Sequence, residues 1–406
     1  MRECEAVFME MMTRLEWKRS IPFFIRKHLY LRHLRFWNDY LTRHAINFYL
    51  SAWIPHEIPD IVIYHLCKVH GVPVLYFEDT AMVRDTSFAE RDIRDSAIQI
   101  RPRYEELLRE FTDVRDPAHI LLEKRFDDRF WALARPEGER PPAKVTRLSR
   151  WKLFREMIVR APLAAFRIIA HYGTLSGVQK VLLAWGRRRV IRACAAFYDA
   201  HAITPDLTVP FVYFPLHYQP EASTAPMGGC FVDQILVAQL LAQHLPHGVL
   251  LYVKEHIWTS GWLKRDIAFY EDLLAIPNVR LVARSSDTFL LREHCKALAT
   301  VTGTAGFEAI FRGKPVFLFG SRFYQYARGV YPIRTRQDCA DAVRAVFQEG
   351  RIPSPMESRL FLKAVEETCV PGTLNPWHYD VTQLPFDAHV ENHARAILQE
   401  VATVFH

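Results

Sequence analysis

The chain has 406 residues, of which 50% are hydrophobic and 24% charged, enough to fill two ordinary domains and far from the composition of a disordered protein. Its formal net charge of +7 favours anionic partners without choosing among nucleotides, acidic glycans, anionic lipid and nucleic acid. The seven cysteines (Cys4, Cys67, Cys194, Cys230, Cys295, Cys339, Cys369) are dispersed with neither a C-x-x-C pair nor zinc spacing, which argues against a disulfide framework and reads as reduced thiols of a cytoplasmic protein.

From Met1 to about Tyr49, aromatic residues and arginines recur at helical spacing. A nucleotide-binding α/β domain ordinarily opens on a strand; none is evident here, so the chain is expected to start partway into its first domain. Met1-Arg2-Glu3-Cys4-Glu5 lacks the basic and then apolar pattern of a signal peptide. No apolar run reaches the roughly 18–20 residues of a membrane span, so the expectation is a soluble protein. Ile46–Leu50 reads as a strand, and a helix from about Pro59 to His70 is stopped by Gly71. Val72–Phe77 is the next strand, ending on Glu78-Asp79-Thr80 and completing a right-handed βαβ unit.

Helical patterns then fill Phe88 to about Arg135, and the Pro- and Gly-rich cluster Arg135–Pro142 predicts an exposed loop. Ala143–Ala200 is helical, apolar and basic at once, with Glu156 and Asp199 its only acids. Its basic face is either simply solvated or rests on anionic lipid. Strands 210–214, 249–253, 279–283, 297–302 and 315–319 alternate with helices 231–244, 263–275, 287–295 and 306–312. That alternation predicts a parallel, doubly wound sheet. Ala388–Val404 is a last helix, expected to pack back across the first domain. The division in sequence is therefore 1–205, containing the basic segment 143–200, then 206–387, then 388–406.

Candidate chemistry gathers at strand ends, where ligands of open α/β sheets bind. The strand Phe211–Phe214 runs into His217, Gln219 and Glu221, the last able to orient His256 or bind a hydroxyl. Val249–Val253 runs into Lys254-Glu255-His256, where Lys254 can meet a phosphate as a point charge and His256 as a donor. Thr302-Gly303-Thr304-Ala305-Gly306-Phe307-Glu308 forms a strand-to-helix turn able to approach phosphate closely, with Glu308 placed for ribose hydroxyls. Glu78-Asp79 offers a general base if it faces a cleft and a hydrogen-bonded acidic turn if it does not. The eighteen histidines form no recognisable metal site, and no Walker A, H-E-x-x-H or Ser-His-Asp pattern occurs.

These residues carry a resemblance. Tyr213–Glu221, Val253–His256, Thr302–Ala309 and Gly313-Lys314-Pro315, in that order, resemble the capsule polysaccharide biosynthesis protein family, which includes bacterial β-Kdo transferases. The likeness spans about 205–325 well and 46–80 more loosely. It implies a GT-B fold, with residues 1–205 as the acceptor-side Rossmann-like domain and 206–387 as the nucleotide-sugar domain. It also implies a metal-independent glycosyltransferase of capsule or lipopolysaccharide assembly, acting on a glycan or glycolipid acceptor. No cofactor is implied beyond the nucleotide-sugar donor, which is CMP-Kdo in the characterised relatives.

By the same resemblance, His256, Thr302 and Thr304 lie at the donor phosphate, Gln219 and Glu221 match a Gln-Pro-Glu motif, and either Glu78 or Asp79 supplies the base. His217, Lys254, Gly303 and Glu308 are further donor-binding candidates from their positions, and Glu221 is a further catalytic candidate. Two departures stand out: Ile257 replaces the proline of the family's His-Pro motif, and Thr80 replaces the glycine after its acid pair. Two alternatives stay open. One is transfer of an alcohol phosphate from a CDP-alcohol, as in teichoic-acid polymerases; the other is a non-catalytic capsule assembly protein. A nucleic-acid partner is disfavoured, because no RRM, KH or helix-turn-helix signature accompanies the basic residues. The expected location is the cytoplasm, with peripheral contact at the inner face of the plasma membrane through 143–200.

Overall fold

A computed structural model describes residues 1–16, 20–80, 82–135, 174–219, 221–256, 265–375 and 382–405. The breaker cluster beyond Arg135, the basic segment up to residue 173, Pro220 and Ile257 lie outside the described residues. In chain order the elements are α1 (Arg2–Met11), α2 (Phe23–Arg43), β1 (Tyr49–Ser51), α3 (Ile58–His70), β2 (Val74–Asp79), β3 (Thr86–Glu90), α4 (Ile100–Glu110), α5 (Lys124–Ala134) and α6 (Thr174–His201). They continue with β4 (Phe211–Pro215), α7 (Gln234–His244), β5 (Leu250–Lys254), α8 (Ile267–Leu274), β6 (Val279–Leu281), α9 (Thr288–His294), β7 (Ala297–Thr300) and α10 (Thr304–Ile310). The last are β8 (Val316–Leu318), β9 (Val330–Pro332), α11 (Arg336–Phe347), α12 (Pro355–Thr368), β10 (Val370–Pro371) and α13 (Phe386–Phe405).

The protein is α/β, with two sheets. The second sheet has six strands in the order β6-β5-β4-β7-β8-β9, every pairing parallel. Numbered from β4, that is the 3-2-1-4-5-6 order of a Rossmann sheet, so the chain reverses direction between β4 and β7 and leaves a crevice at their carboxyl ends. Both faces of β4 are covered, as a central parallel strand requires. Phe211 and Tyr213 pack with α4, α5, α10 and α12, while Val212 and Phe214 pack with α6, α7 and α11.

The first sheet is smaller and mixed, in the order β1-β2-β3-β10. β1 and β2 are parallel around α3, the expected βαβ unit, and α3 ends on Gly71 in the left-handed conformation (φ 69°). β3, by contrast, falls where helix is expected from Phe88 onward. It returns antiparallel to β2 through a tight connection in which the Thr80 N–H donates to the Thr86 carbonyl (3.0 Å) and Asp85 takes φ 53°. β10 then pairs antiparallel with β3, and Leu75 and Phe77 of β2 pack beneath Ala396 of α13. The final helix therefore crosses back over the first sheet, and the return begins at Val370 rather than at residue 388.

Packing runs across the sequence position 205/206. Tyr104 of α4 and Phe130 of α5 share a core with Phe307 of α10, and Tyr198 of α6 donates its hydroxyl to the Val282 carbonyl (2.6 Å). These helices roof the second sheet even though they precede it in the chain.

Candidate functional site

The ends of β4, β5 and β7 converge at the crevice, and His217 is the hub. Its Nε2 accepts the Thr302 N–H (3.1 Å) and lies 3.3 Å from Thr300 Oγ1. Its own backbone N–H donates to Gln234 Oε1 (2.7 Å). Burial, reinforced by Arg265 and His256, pushes the imidazole down to about 3, so it is a neutral acceptor that fixes the turn after β7. Gly303 is required beside it: a Cβ there would stand 2.8 Å from Thr300 Oγ1 and 3.1 Å from His217 Nε2. Thr302 donates its hydroxyl to the Ser223 carbonyl (2.6 Å), tying the same turn to the loop that follows β4. Thr304 is exposed at the first position of α10.

β5 joins through a buried arginine. Arg265 is ion-paired with Glu255 and donates to the His217 carbonyl (2.6 Å), while the Tyr270 hydroxyl donates to Glu255 (2.6 Å). Burial alone would raise the Glu255 carboxyl, but Arg265, Tyr270 and the His256 N–H outweigh it and hold it below the usual range. The His256 ring lies 5.8 Å from that of Tyr218, so β5 and β4 present imidazole and phenol side by side. Burial lowers the His256 pKa, and of its charged neighbours Glu255 opposes this and Arg265 adds to it.

Several expected site residues are placed differently. The Lys254 amino group is buried and donates to the Ser286 carbonyl (2.7 Å) and Thr288 Oγ1 (2.8 Å), bracing the start of α9 rather than facing the crevice. Glu308 is ion-paired with Arg292 of α9, which takes it out of the role of a free ribose acceptor. Gln219 donates to the Val232 carbonyl and shapes its own loop. Glu221 does not orient His256, whose neighbouring carboxylate is Glu255. The Glu221 carbonyl closes the turn to Thr224 and Ala225; desolvation raises its carboxyl, and Arg14 opposes that.

Glu78 and Asp79 part company because successive strand residues face opposite sides. Asp79 points toward the returning C-terminal segment, where its Oδ2 accepts from Thr373 Oγ1, Leu374 N (3.0 Å) and Asn375 N (2.8 Å). Glu78 points the other way. It accepts from Ser96 Oγ (2.8 Å) and is ion-paired with Arg322, which follows β8 in the second unit. Across the sheet is Glu90, opposite Tyr76 and fully buried, its two oxygens accepting the Ala97 N–H (2.7 and 2.8 Å). Burial first, and then the Glu78 charge, raise the Glu90 carboxyl well above its ordinary range. The paired carboxyls of this site are thus Glu78 and Glu90, adjacent in the sheet rather than in sequence.

Sequence reasoning missed Arg322, Arg265 and Glu90. For Arg322 a signal existed, since Phe319-Gly320-Ser321-Arg322 is another apolar strand running into polar residues at the same sheet edge. A separate cavity of about 560 Å³, lined by Tyr104, Tyr326, Arg328 and Tyr331 among others, opens at the amino-terminal end of β9, away from this crevice. Among the described residues, no helix is long and apolar enough to cross a membrane and no cluster of His, Cys, Asp and Glu is arranged to hold a metal ion.

Residues 229–346 match the family described as capsule polysaccharide biosynthesis protein. The matched segment runs from the loop after β4 to α11 and contains Lys254, His256, the Thr302–Glu308 turn and Arg322, so the resemblance drawn from the sequence holds there. No curated protein matches the chain. Among solved structures, it is similar to Thermosulfurimonas dismutans KpsC, a β-Kdo 2,7 transferase, at 13% identity and a TM-score of 0.30, over 78% of this chain and 98% of that one. It is also similar to UDP-GlcNAc 2-epimerase from Methanocaldococcus jannaschii at 9% identity and a TM-score of 0.29, over 85% and 82%. Anabaena Alr3699/HepE in complex with UDP-glucose aligns at 15% identity and a TM-score of 0.27, over 40% and 44%. At such TM-scores none of these likenesses bears on what this chain does.

Proposed function

We propose that this protein is a nucleotide-sugar-dependent glycosyltransferase of capsule or lipopolysaccharide assembly. The observation that carries the reading is the crevice at the β4/β7 reversal, whose β5 and β7 ends lie in the segment matched by the capsule family, with Glu78 of the opposite sheet ion-paired to Arg322 beside it. The nucleotide sits over the turn Thr302-Gly303-Thr304, with His217 fixing that turn and His256 and Tyr218 at its side. Glu78 takes the proton of the acceptor hydroxyl. The acceptor oxygen then bonds to the anomeric carbon as the bond from that carbon to phosphate oxygen breaks, its electron pair leaving with the nucleotide.

This reading assigns the leaving group's charge to basic side chains and backbone N–H groups in a partly dry crevice, without a metal ion. CMP-Kdo is the first donor to test, a glycan or glycolipid the acceptor class, and the cytoplasmic face of the membrane the proposed place of work. The test is calorimetric titration with CMP, CDP, UDP and GDP, followed by product analysis with the matching nucleotide sugar. Binding of one nucleotide and formation of a glycosidic bond are expected. Binding of none, or a phosphodiester product, overturns the reading.

A further inference from the structure

Arg322 is charged, partly buried and held at the seam of three segments. The backbone just before it is pinned to the donor side: the Ser321 N–H donates to the Met227 carbonyl (3.0 Å). A Cβ on Gly320 would stand 2.4 Å from Thr302 Cγ2, so this backbone lies directly against the Thr302 turn. The guanidinium reaches the other way, across the interface, to Glu78, with Met227 Sδ 3.7 Å from the same nitrogen. Its Nε is buried and makes no hydrogen bond. A planar guanidinium with donor capacity to spare, on the segment that packs against the Thr302 turn, suits bidentate phosphate recognition. Glu78, for its part, has a second anchor in Ser96 Oγ (2.8 Å), which keeps it in place if the arginine leaves.

We propose that Arg322 is a donor-binding residue held in reserve by Glu78: the donor's phosphate exchanges with the carboxylate on the guanidinium, and the freed carboxylate becomes the base for the acceptor. The inference rests on the transferase reading and deepens it, because donor occupancy is then a condition for base release and the donor binds first. While the guanidinium occupies the carboxylate oxygen it bonds, that oxygen is closed to the acceptor hydroxyl; once the guanidinium turns to phosphate, it is open. Glu90, whose burial favours its neutral form, leaves Glu78 as the anion nearest to hold Arg322 while the crevice is empty.

The exchange predicts opposite signs for its two partners, which a merely structural ion pair does not. Calorimetric titration with CMP, CDP, UDP and GDP compares wild type, Arg322→Gln and Glu78→Gln, with melting curves run alongside. Arg322→Gln is expected to bind the nucleotide at least about tenfold more weakly, and Glu78→Gln about threefold or more tightly, since the competing anion is gone. Glu78→Gln should at the same time lose turnover. If Arg322→Gln does not fold, Arg322→Lys, which keeps the charge but not the fork, should bind more weakly than wild type. Equal affinity in a folded Arg322 variant, or unchanged or weaker affinity in Glu78→Gln, overturns the exchange and leaves the transferase reading standing. Wild-type protein that binds none of CMP, CDP, UDP and GDP brings down both.

Discussion

Arg265 spans two strand ends at once, ion-paired with Glu255 after β5 and bonded at 2.6 Å to the carbonyl of His217 after β4. Both charged partners are almost wholly buried, and Glu255 is further satisfied by the Tyr270 hydroxyl. A buried pair of this kind adds little net stability over an apolar replacement, but losing one partner strands the other charge. Arg265→Met should therefore cost about 3–5 kcal/mol, and Arg265→Met with Glu255→Leu clearly less than that single change. Urea unfolding of the two variants and wild type measures the difference. A double variant no more stable than the single would show that the ion pair is not what holds the two strand ends together.

His217 gives the crevice a pH dependence of known sign. Its pKa is about 3 when folded and near the ordinary 6.5 when unfolded, so below 6.5 the unfolded chain binds the extra proton. The contribution of this residue to stability is complete above pH 6.5 and declines as pH falls, by up to about 1.4 kcal/mol per unit. Urea midpoints between pH 7 and 5 should fall, and the slope should shrink in His217→Gln. The pH range is chosen to lie above the window in which Glu255, held low by Arg265, would add an acid-side loss of its own. An identical slope in the variant would mean that the imidazole is not buried in neutral form.

Two glycines offer a packing test. A Cβ at Gly320 would lie 2.4 Å from Thr302 Cγ2, 2.7 Å from the Val301 carbonyl and 2.9 Å from the Met227 carbonyl. Two of those neighbours are backbone, which cannot step aside, so Gly320→Ala should cost about 2–4 kcal/mol and weaken nucleotide binding as the Thr302 turn shifts. Gly186, inside α6, has nothing within 4 Å of such a Cβ. There Ala should stabilise by up to about 1 kcal/mol through helix propensity alone. Thermal melting of both variants gives the comparison, and a Gly320→Ala protein that melts with wild type would refute the close approach of β8 and β7.

The second sheet was largely legible from sequence because β4 to β8, five of its six strands, are apolar runs separated by helix-length segments. That is the pattern a doubly wound sheet needs, and it places His217, His256 and Thr302 at strand ends, where the structure also has them. β9, three residues joined to β8 without a full helix, is not among the predicted strands. β3 was not legible: Thr86-Ser87-Phe88-Ala89-Glu90 has too little apolar alternation, and only its pairing with β2 and β10 makes it a strand. The roles of Lys254 and Glu308 could not be read for a related reason. A charged residue at a strand end looks the same in sequence whether it faces ligand or braces a neighbouring helix, and here Ser286, Thr288 and Arg292 decide. Arg322 acquires its meaning from Glu78, 244 positions away in the chain, which no local pattern discloses.

The side-by-side acids Glu78 and Asp79 should separate cleanly on mutation, because strand geometry sends them to different tasks. Asp79 holds the returning segment through Thr373, Leu374 and Asn375, a cap of charge-assisted hydrogen bonds that also positions the approach to α13. Asp79→Ala leaves two backbone N–H groups to find new partners and should lower stability by about 1–3 kcal/mol. It should leave nucleotide affinity within about twofold of wild type, since the residue faces away from the crevice. Glu78→Gln should do the reverse, abolishing turnover in a protein that still folds. Nucleotide titration, melting and turnover on the two variants decide the matter: loss of turnover confined to Asp79→Ala would move the base to the other side of β2, and with it the acceptor site.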